Sequence, residues 1–222
     1  MSAPALLERV IEDLYARHTA DSEAAGIARR EYEERRGKVH QDDDLWEAWS
    51  AAFVEWYVVE RVSSAGTPAG AQGEELPPAV RTYREQRDAD PERAAVVAAL
   101  LTSQRSLFEV RAMARGRIEL LDLLGGAEFE VSEQRQLHGV EVGDVAELRL
   151  VGIAGEVRFG RTFIYHPKAA RGAIVERARA MLAKGASRRD VIDQIAQLRT
   201  LASRYRHMPP SRVYELGSRI MG

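Results

Sequence analysis

No cysteine occurs among the 222 residues. Disulfides, cysteine–zinc sites and thiol nucleophiles are excluded with it. A secreted role stapled by disulfides is excluded too, so a cytoplasmic location is expected. No apolar run reaches the ~18 residues of a membrane-spanning helix. The start, MSAPALLERVIEDL, is neither basic nor a long apolar stretch, so no signal peptide and no membrane contact are expected. Phosphate-cradling glycine patterns are missing: neither the Walker spacing nor Gly-x-Gly-x-x-Gly occurs. There is no Gly-x-Ser-x-Gly elbow and no His-Glu-x-x-His pair. The five histidines, at 18, 40, 138, 166 and 207, stand apart from one another. His166 before Pro167 and His138 before Gly139 read as turn residues. These absences point to a non-catalytic protein with no cofactor and no metal, although a site assembled only by folding would escape this reasoning.

Charge is plentiful but unevenly placed. Residues 1–60 carry 14 acids against 7 bases, whereas residues 168–222 carry 12 bases against 4 acids, within a net charge of −2. A basic end of this kind can be a surface for nucleic acid or another anionic partner. It can equally face the acidic segments inside one fold.

Helical spacing dominates both ends. Leu6, Leu7, Val10, Ile11, Leu14 and Tyr15 recur at that spacing, so residues 3–36 read as one long helix or two consecutive ones ending at Gly37. Trp46, Trp49, Phe53, Trp56 and Tyr57 share one face of a further helix and read as core. The preceding HQDDD could suggest a metal site, but helix initiation accounts for it better. Asp44 stands three residues before Glu47 at capping-box spacing, and Asp42 and Asp43 lie near the positive end of the helix dipole. Asp90–Pro91 is a strong start for a helix over 91–103. Ser187 with Asp190 is a second capping box, opening a helix whose apolar face is Val191, Ile192, Ile195, Leu198 and Leu201. Ser211 is expected to cap a last short helix after Pro209-Pro210.

Between these ends the period changes to two. Phe108, Val110 and Ala112 alternate with Glu109 and Arg111, and Gly125-Gly126 joins two strands as a hairpin. Ala127, Phe129 and Val131 are expected to face in. Ala146, Leu148 and Leu150 alternate with Glu147 and Arg149. Five short strands in about 60 residues suggest a small antiparallel β-barrel or a strongly bent sheet. The outward positions Glu109, Glu128, Glu130 and Glu147 are expected on its surface, where they would repel phosphate. The fold class is therefore α+β, with helices on both sides in sequence of a β-rich middle. The expected organisation is an N-terminal helical region at 1–62, a linker or loop at 63–78, a helical spacer at 79–104, a small barrel at 105–167 and a basic helical region at 168–222.

Two stretches carry a resemblance. FVEWYVVERVSSAGTP at 53–68, followed by SQRSLFEVRAMARGRIELLDLLGGAEFEVSE at 103–133 and GVEVGDVAELRLV at 139–151, resembles an uncharacterised bacterial family with an aromatic helix and a small β-barrel. Some relatives in that family also carry a zinc tail like that of the SecA translocation motor. This chain departs there, because it has no cysteine. The resemblance spans roughly residues 42–165 and implies an architecture, but it brings no catalytic residues.

Two functions are therefore expected as alternatives. The first is a non-catalytic protein-interaction or regulatory module with a protein partner. The second is a nucleic-acid-binding protein that meets phosphates through Lys168, Arg171, Arg188, Arg189, Arg199, Arg204, Arg206 and Arg212.

Overall fold

Leu7, Val10, Ile11 and Leu14 form the buried face of α1 (Ala3–His18) in the computed structural model, which describes residues 3–20, 22–62, 75–133 and 139–217. α2 (Ser22–Arg36) follows and stops at Gly37, whose positive φ of 84° glycine adopts without strain. The two-helix alternative is thus the one adopted. α3 (Trp46–Val59) buries Trp49, Phe53, Trp56 and Tyr57 against α1 and α2, with Tyr32 wedged edge-on between Trp49 and Phe53. The aromatic stripe is core, as its spacing predicts.

The start of α3 differs from the capping-box expectation. Leu45 occupies the cap and no side chain bonds there. Asp43 instead closes a tight turn by accepting the His40 N–H at 2.8 Å, and Asp44 turns outward to Arg206 at 3.1 Å. The expected linker falls mostly outside the described residues, as does His138. α4 (Pro78–Gln86) and α5 (Pro91–Leu101) come next, and the Asp90 carboxylate accepts the Arg93 N–H as expected of a cap.

β1 (Gln104–Ala114), β2 (Arg117–Asp122), β3 (Glu128–Ser132), β4 (Val145–Ile153) and β5 (Glu156–His166) form one antiparallel sheet in the order β3-β2-β1-β4-β5. Phe108, Val110, Leu120, Val131, Leu148 and Phe159 fill the concave side. Val131 does face in, but Ala127 lies exposed in the hairpin. The sheet curls until β3 and β5 lie alongside, yet no ladder joins them. It is a bent sheet, not a closed barrel. The two edges are mismatched, five residues against eleven, and two backbone donors of β5 already bond a side chain, as described below.

After a 3₁₀ turn (Lys168–Ala170), α6 (Arg171–Ala183), α7 (Arg188–Arg204) and α8 (Pro210–Leu216) pack over Leu107 and Val145 on the convex face of the sheet. The Ser187–Asp190 capping box forms as predicted. α8 begins on Pro210 with Pro209 as its cap, so Ser211 lies inside the helix and does not cap it. Strand alternation places Glu109, Glu147 and Arg149 on the convex face, as the sequence pattern requires. That face is not solvent. α3 lies over β5, α5 over β4 and α7 over β1, and Arg171 of α6 closes on Glu109, so Glu147 and Glu109 are buried, whereas Glu128 and Glu130 on β3 are exposed. Burying charged groups there requires that each be paired, and the resulting ion network organises the candidate site.

Candidate functional site

β1 and β4 set Arg105 directly opposite Arg149. Like charges facing across strands repel, so an anion must bridge them. Glu60, the residue that ends α3, is that anion. Arg105 forks onto it, with Nε–Oε1 and Nη2–Oε2 both at 2.9 Å. Arg149 also donates to Glu60, and Arg189 of α7 places its Nε 3.3 Å away. One carboxylate is thus shared by three guanidinium groups. Burial alone would raise the Glu60 pKa, but Arg105, Arg149 and Arg189 together outweigh burial and hold it at about 2.

These residues form the floor of an open cleft of about 540 Å³ between the end of α3, the α5–β1 junction and the first turn of α7. The junction is tight for a local reason. Thr102 donates to Ala98 O and Ser103 to Leu100 O, so the last carbonyls of α5 are satisfied and the chain turns at once into β1. Ser103 Oγ then accepts from Arg149 at 2.9 Å. The Ser187–Asp190 box fixes where α7 starts, which puts Arg188 and Arg189 side by side on the rim. Val59, Leu101 and Ile192 supply an apolar wall. Four arginines and one glutamate line the cleft, a surplus of three positive charges.

Behind the floor the network continues inward. Arg105 Nη1 reaches Glu147 at 3.1 Å, and Glu147 also pairs with Arg36 of α2. Arg36 donates to Asp193 of α7 at 3.1 Å. Burial opposes ionisation of Glu147, yet Arg36 and Arg105 keep its pKa below the usual value. Burial wins at Asp193, whose pKa is raised. Glu55, Glu147, Asp193 and Asp122 all lie outside the cleft lining, so the negative charge stands at the back and the positive charge at the mouth.

The eight basic residues expected to meet phosphate are engaged by different acceptors in different parts of the fold. Arg188 pairs with Asp122 and lies 3.1 Å from Ser106 Oγ; it and Arg189 belong to the cleft. Arg171 forks onto Glu109 at 2.8 Å through both nitrogens, and Lys168 meets Glu141 at 3.2 Å. Arg199 donates to Tyr165 O at 2.6 Å, Arg204 to Lys38 O, Arg206 to Asp44 and Arg212 to Glu215 at 3.2 Å. Each has an acceptor within the chain. Arg105, Arg149 and Glu60 were not singled out by sequence reasoning. The signal that could have found them is a pair of arginines at matching outward positions of adjacent strands.

His166 differs from its expected turn role. It ends β5 in the interior, 3% exposed, with Nδ1 2.8 Å from the Tyr214 hydroxyl. Burial, aided by Arg199 and Arg36 and opposed by Glu147, lowers its pKa to about 3. Among the described residues no group of three or more histidine, aspartate or glutamate side chains could hold a metal ion, and no helix is long and apolar enough to cross a membrane.

No curated protein and no solved structure matches the chain. Residues 72–203 match the model of a family of unknown function, DUF7986, so the chain belongs to that family. Membership agrees with the resemblance to an uncharacterised family.

Proposed function

We propose that this member of the DUF7986 family is a non-catalytic regulatory module whose binding face is the arginine-lined cleft and whose ligand or partner presents an anionic group to it. The observation that carries this reading is the sharing of Glu60 by Arg105, Arg149 and Arg189. A carboxylate held at a pKa of about 2 and four arginines exchange no protons near neutral pH. General acid–base work needs a group poised near the working pH. What these residues supply is fixed positive charge and directed donors, which suits binding.

A protein partner bearing an acidic side chain would meet the same donors. Nucleic-acid binding through the C-terminal helices is less well supported, because outside the cleft an incoming phosphate must compete with an internal acceptor at each of Lys168, Arg171, Arg199, Arg204, Arg206 and Arg212.

Thermal melts in sulfate and in chloride at matched ionic strength test the reading. The melting temperature should rise saturably with sulfate in the natural chain and lose that component in Arg189→Ala, leaving only the general stabilisation that sulfate gives any protein. Fluorescence anisotropy with random duplex DNA and single-stranded RNA supplies the rival test. Steeply salt-dependent binding that disappears on neutralising Lys168, Arg206 and Arg212 would replace this reading with the nucleic-acid one.

A further inference from the structure

Arg188 and Arg189 leave donors unspent at the mouth of the cleft. Arg188 uses Nη2 on Asp122 and Ser106, which leaves Nε and Nη1. Arg189 directs Nε at Glu60, which leaves both terminal nitrogens. No acceptor meets these four groups among the described residues, and both side chains are 44% exposed. Below them Arg105 and Arg149 are almost fully buried, 6% and 2% exposed, and their positive charge reaches the cleft through a single carboxylate. Arg189 thus keeps a whole terminal fork and Arg188 two single donors, and donors beyond one fork suit a group with three oxygens and two charges better than a carboxylate, which a single fork fills.

The rest of the lining argues that the ligand is more than a bare anion. Val59, Leu101 and the largely buried Ile192 are the apolar members of the lining, and the Gln104 amide is already committed to Asp122 at 2.8 Å. A cleft of about 540 Å³ is the size of sites that take small organic ligands.

We infer that the cleft binds a phosphate monoester of a small molecule with an apolar body, the phosphoryl group spanning Arg188 and Arg189 above Arg105 and the body lying on Val59, Leu101 and Ile192. This rests on the cleft being the binding face proposed above. Arg189 would exchange part of its contact with Glu60 for the ligand, which keeps Glu60 bound to Arg105 and Arg149 and leaves the floor intact.

Isothermal calorimetry on the full chain at physiological salt tests it, with 4-nitrophenyl phosphate, inorganic phosphate and 4-nitrobenzoate as probes. One-to-one binding of 4-nitrophenyl phosphate is expected, tighter than either of the other two. Arg189→Ala should weaken it about 10- to 100-fold, the loss of charge-assisted donors. Arg189 is half exposed and Glu60 keeps two partners, so this variant folds; a circular dichroism melt checks that. Arg189→Lys, which keeps the charge and loses the fork, should recover only part of the affinity. No saturable binding of 4-nitrophenyl phosphate up to the millimolar range, or binding indifferent to Arg189→Ala, overturns the inference. If 4-nitrobenzoate binds instead, and is lost in Arg189→Ala, the phosphoryl assignment fails while the anion-binding module stands. Release of coloured 4-nitrophenolate would support the site and overturn the non-catalytic reading.

Discussion

Glu55 of α3 accepts the backbone N–H of Thr162 in β5 at 2.9 Å, across 107 residues of chain. It also accepts the Thr162 hydroxyl and the Arg161 N–H. The reason lies in the ladder. Between Leu148↔Phe163 and Leu150↔Phe159, two steps on β4 face four on β5, so β5 carries a bulge. The carboxylate answers the donors of that bulge, and Arg149 Nε lies 3.4 Å behind it. A helix side chain thereby fixes the bend of an edge strand. Gly160 makes the approach geometrically feasible: a Cβ there would run into the Glu55 carboxylate and come within 3.2 Å of Arg149 Cβ. Gly160→Ala should destabilise by about 1–3 kcal/mol through overpacking. Glu55→Ala should cost about 3–5 kcal/mol, because it leaves the buried donors of Arg161 and Thr162 unanswered and takes one of two carboxylates from the buried Arg149. Urea unfolding of the two variants checks both values. An unchanged midpoint in Gly160→Ala would mean that Glu55 does not approach the strand this closely.

Legibility in the sequence followed the range of the interaction. Local signals held. The α3 aromatic face, the Asp90 and Ser187 caps and the Gly125-Gly126 hairpin each need only neighbours within a turn, and each is present. Alternation in β4 was also legible, since Leu148 and Leu150 do face the concave core. The fate of the opposite face was not. Glu147 and Arg149 read as surface residues because charge usually means water, yet helices from both ends of the chain cover them. Period two tells which residues share a face but not what covers it. The same gap explains the site. Arg188 and Arg189 could be named from composition, whereas Arg105, Arg149 and Glu60 meet only after residues 45 to 89 apart in sequence are folded together.

The Arg36–Glu147 pair, 1% and 0% exposed, ties α2 to β4 and should behave as a buried ion pair does. Arg36→Met removes the cation that both Glu147 and Asp193 use. Glu147 retains only Arg105, and Asp193 is left with longer contacts at 3.5 Å and 3.6 Å. A loss of about 3–5 kcal/mol is expected. Glu147→Gln, which keeps the shape and removes one charge, leaves Arg36 with Asp193 and should cost less. A double-mutant cycle in urea measures the coupling between the two residues, and additivity of the two losses would show that they do not interact.

The start of α7 offers a milder prediction that reaches the cleft. Ser187 Oγ accepts the Asp190 N–H at 3.1 Å, and Asp190 accepts back from the Ser187 N–H at 3.2 Å. Ser187→Ala should cost about 1 kcal/mol of stability. It should also fray the turn that carries Arg188 and Arg189, so 4-nitrophenyl phosphate affinity should fall with it. Hydrogen exchange at the N-terminal turn of α7 reports the fraying directly. Unchanged protection there would separate the cap from the cleft.

Stability should fall in two stages as the solution is acidified. His166 is neutral in the fold, its pKa lowered from 6.5 to about 3 by burial among Tyr214, Arg199, Arg36 and Glu147. Above pH 6.5 neither state holds its proton and the fold has its full stability. Below that the unfolded chain takes up a proton that the folded one refuses, at a loss approaching about 1.4 kcal/mol per pH unit until the folded group titrates near 3. Glu60 adds a second stage. Its pKa falls from 4.5 to about 2 on folding, so its contribution is complete above pH 4.5 and is lost between there and 2. Asp193, whose pKa is raised from 3.8 by burial, works in the opposite direction as the solution is acidified. Urea midpoints at pH 7, 6 and 5 isolate the first. The slope between pH 6.5 and 4.5 should be steep in the natural chain and shallow in His166→Asn, whatever the absolute stability of that variant. Equal slopes in the two proteins would mean that His166 is free to take its proton and is not held in a sealed interior.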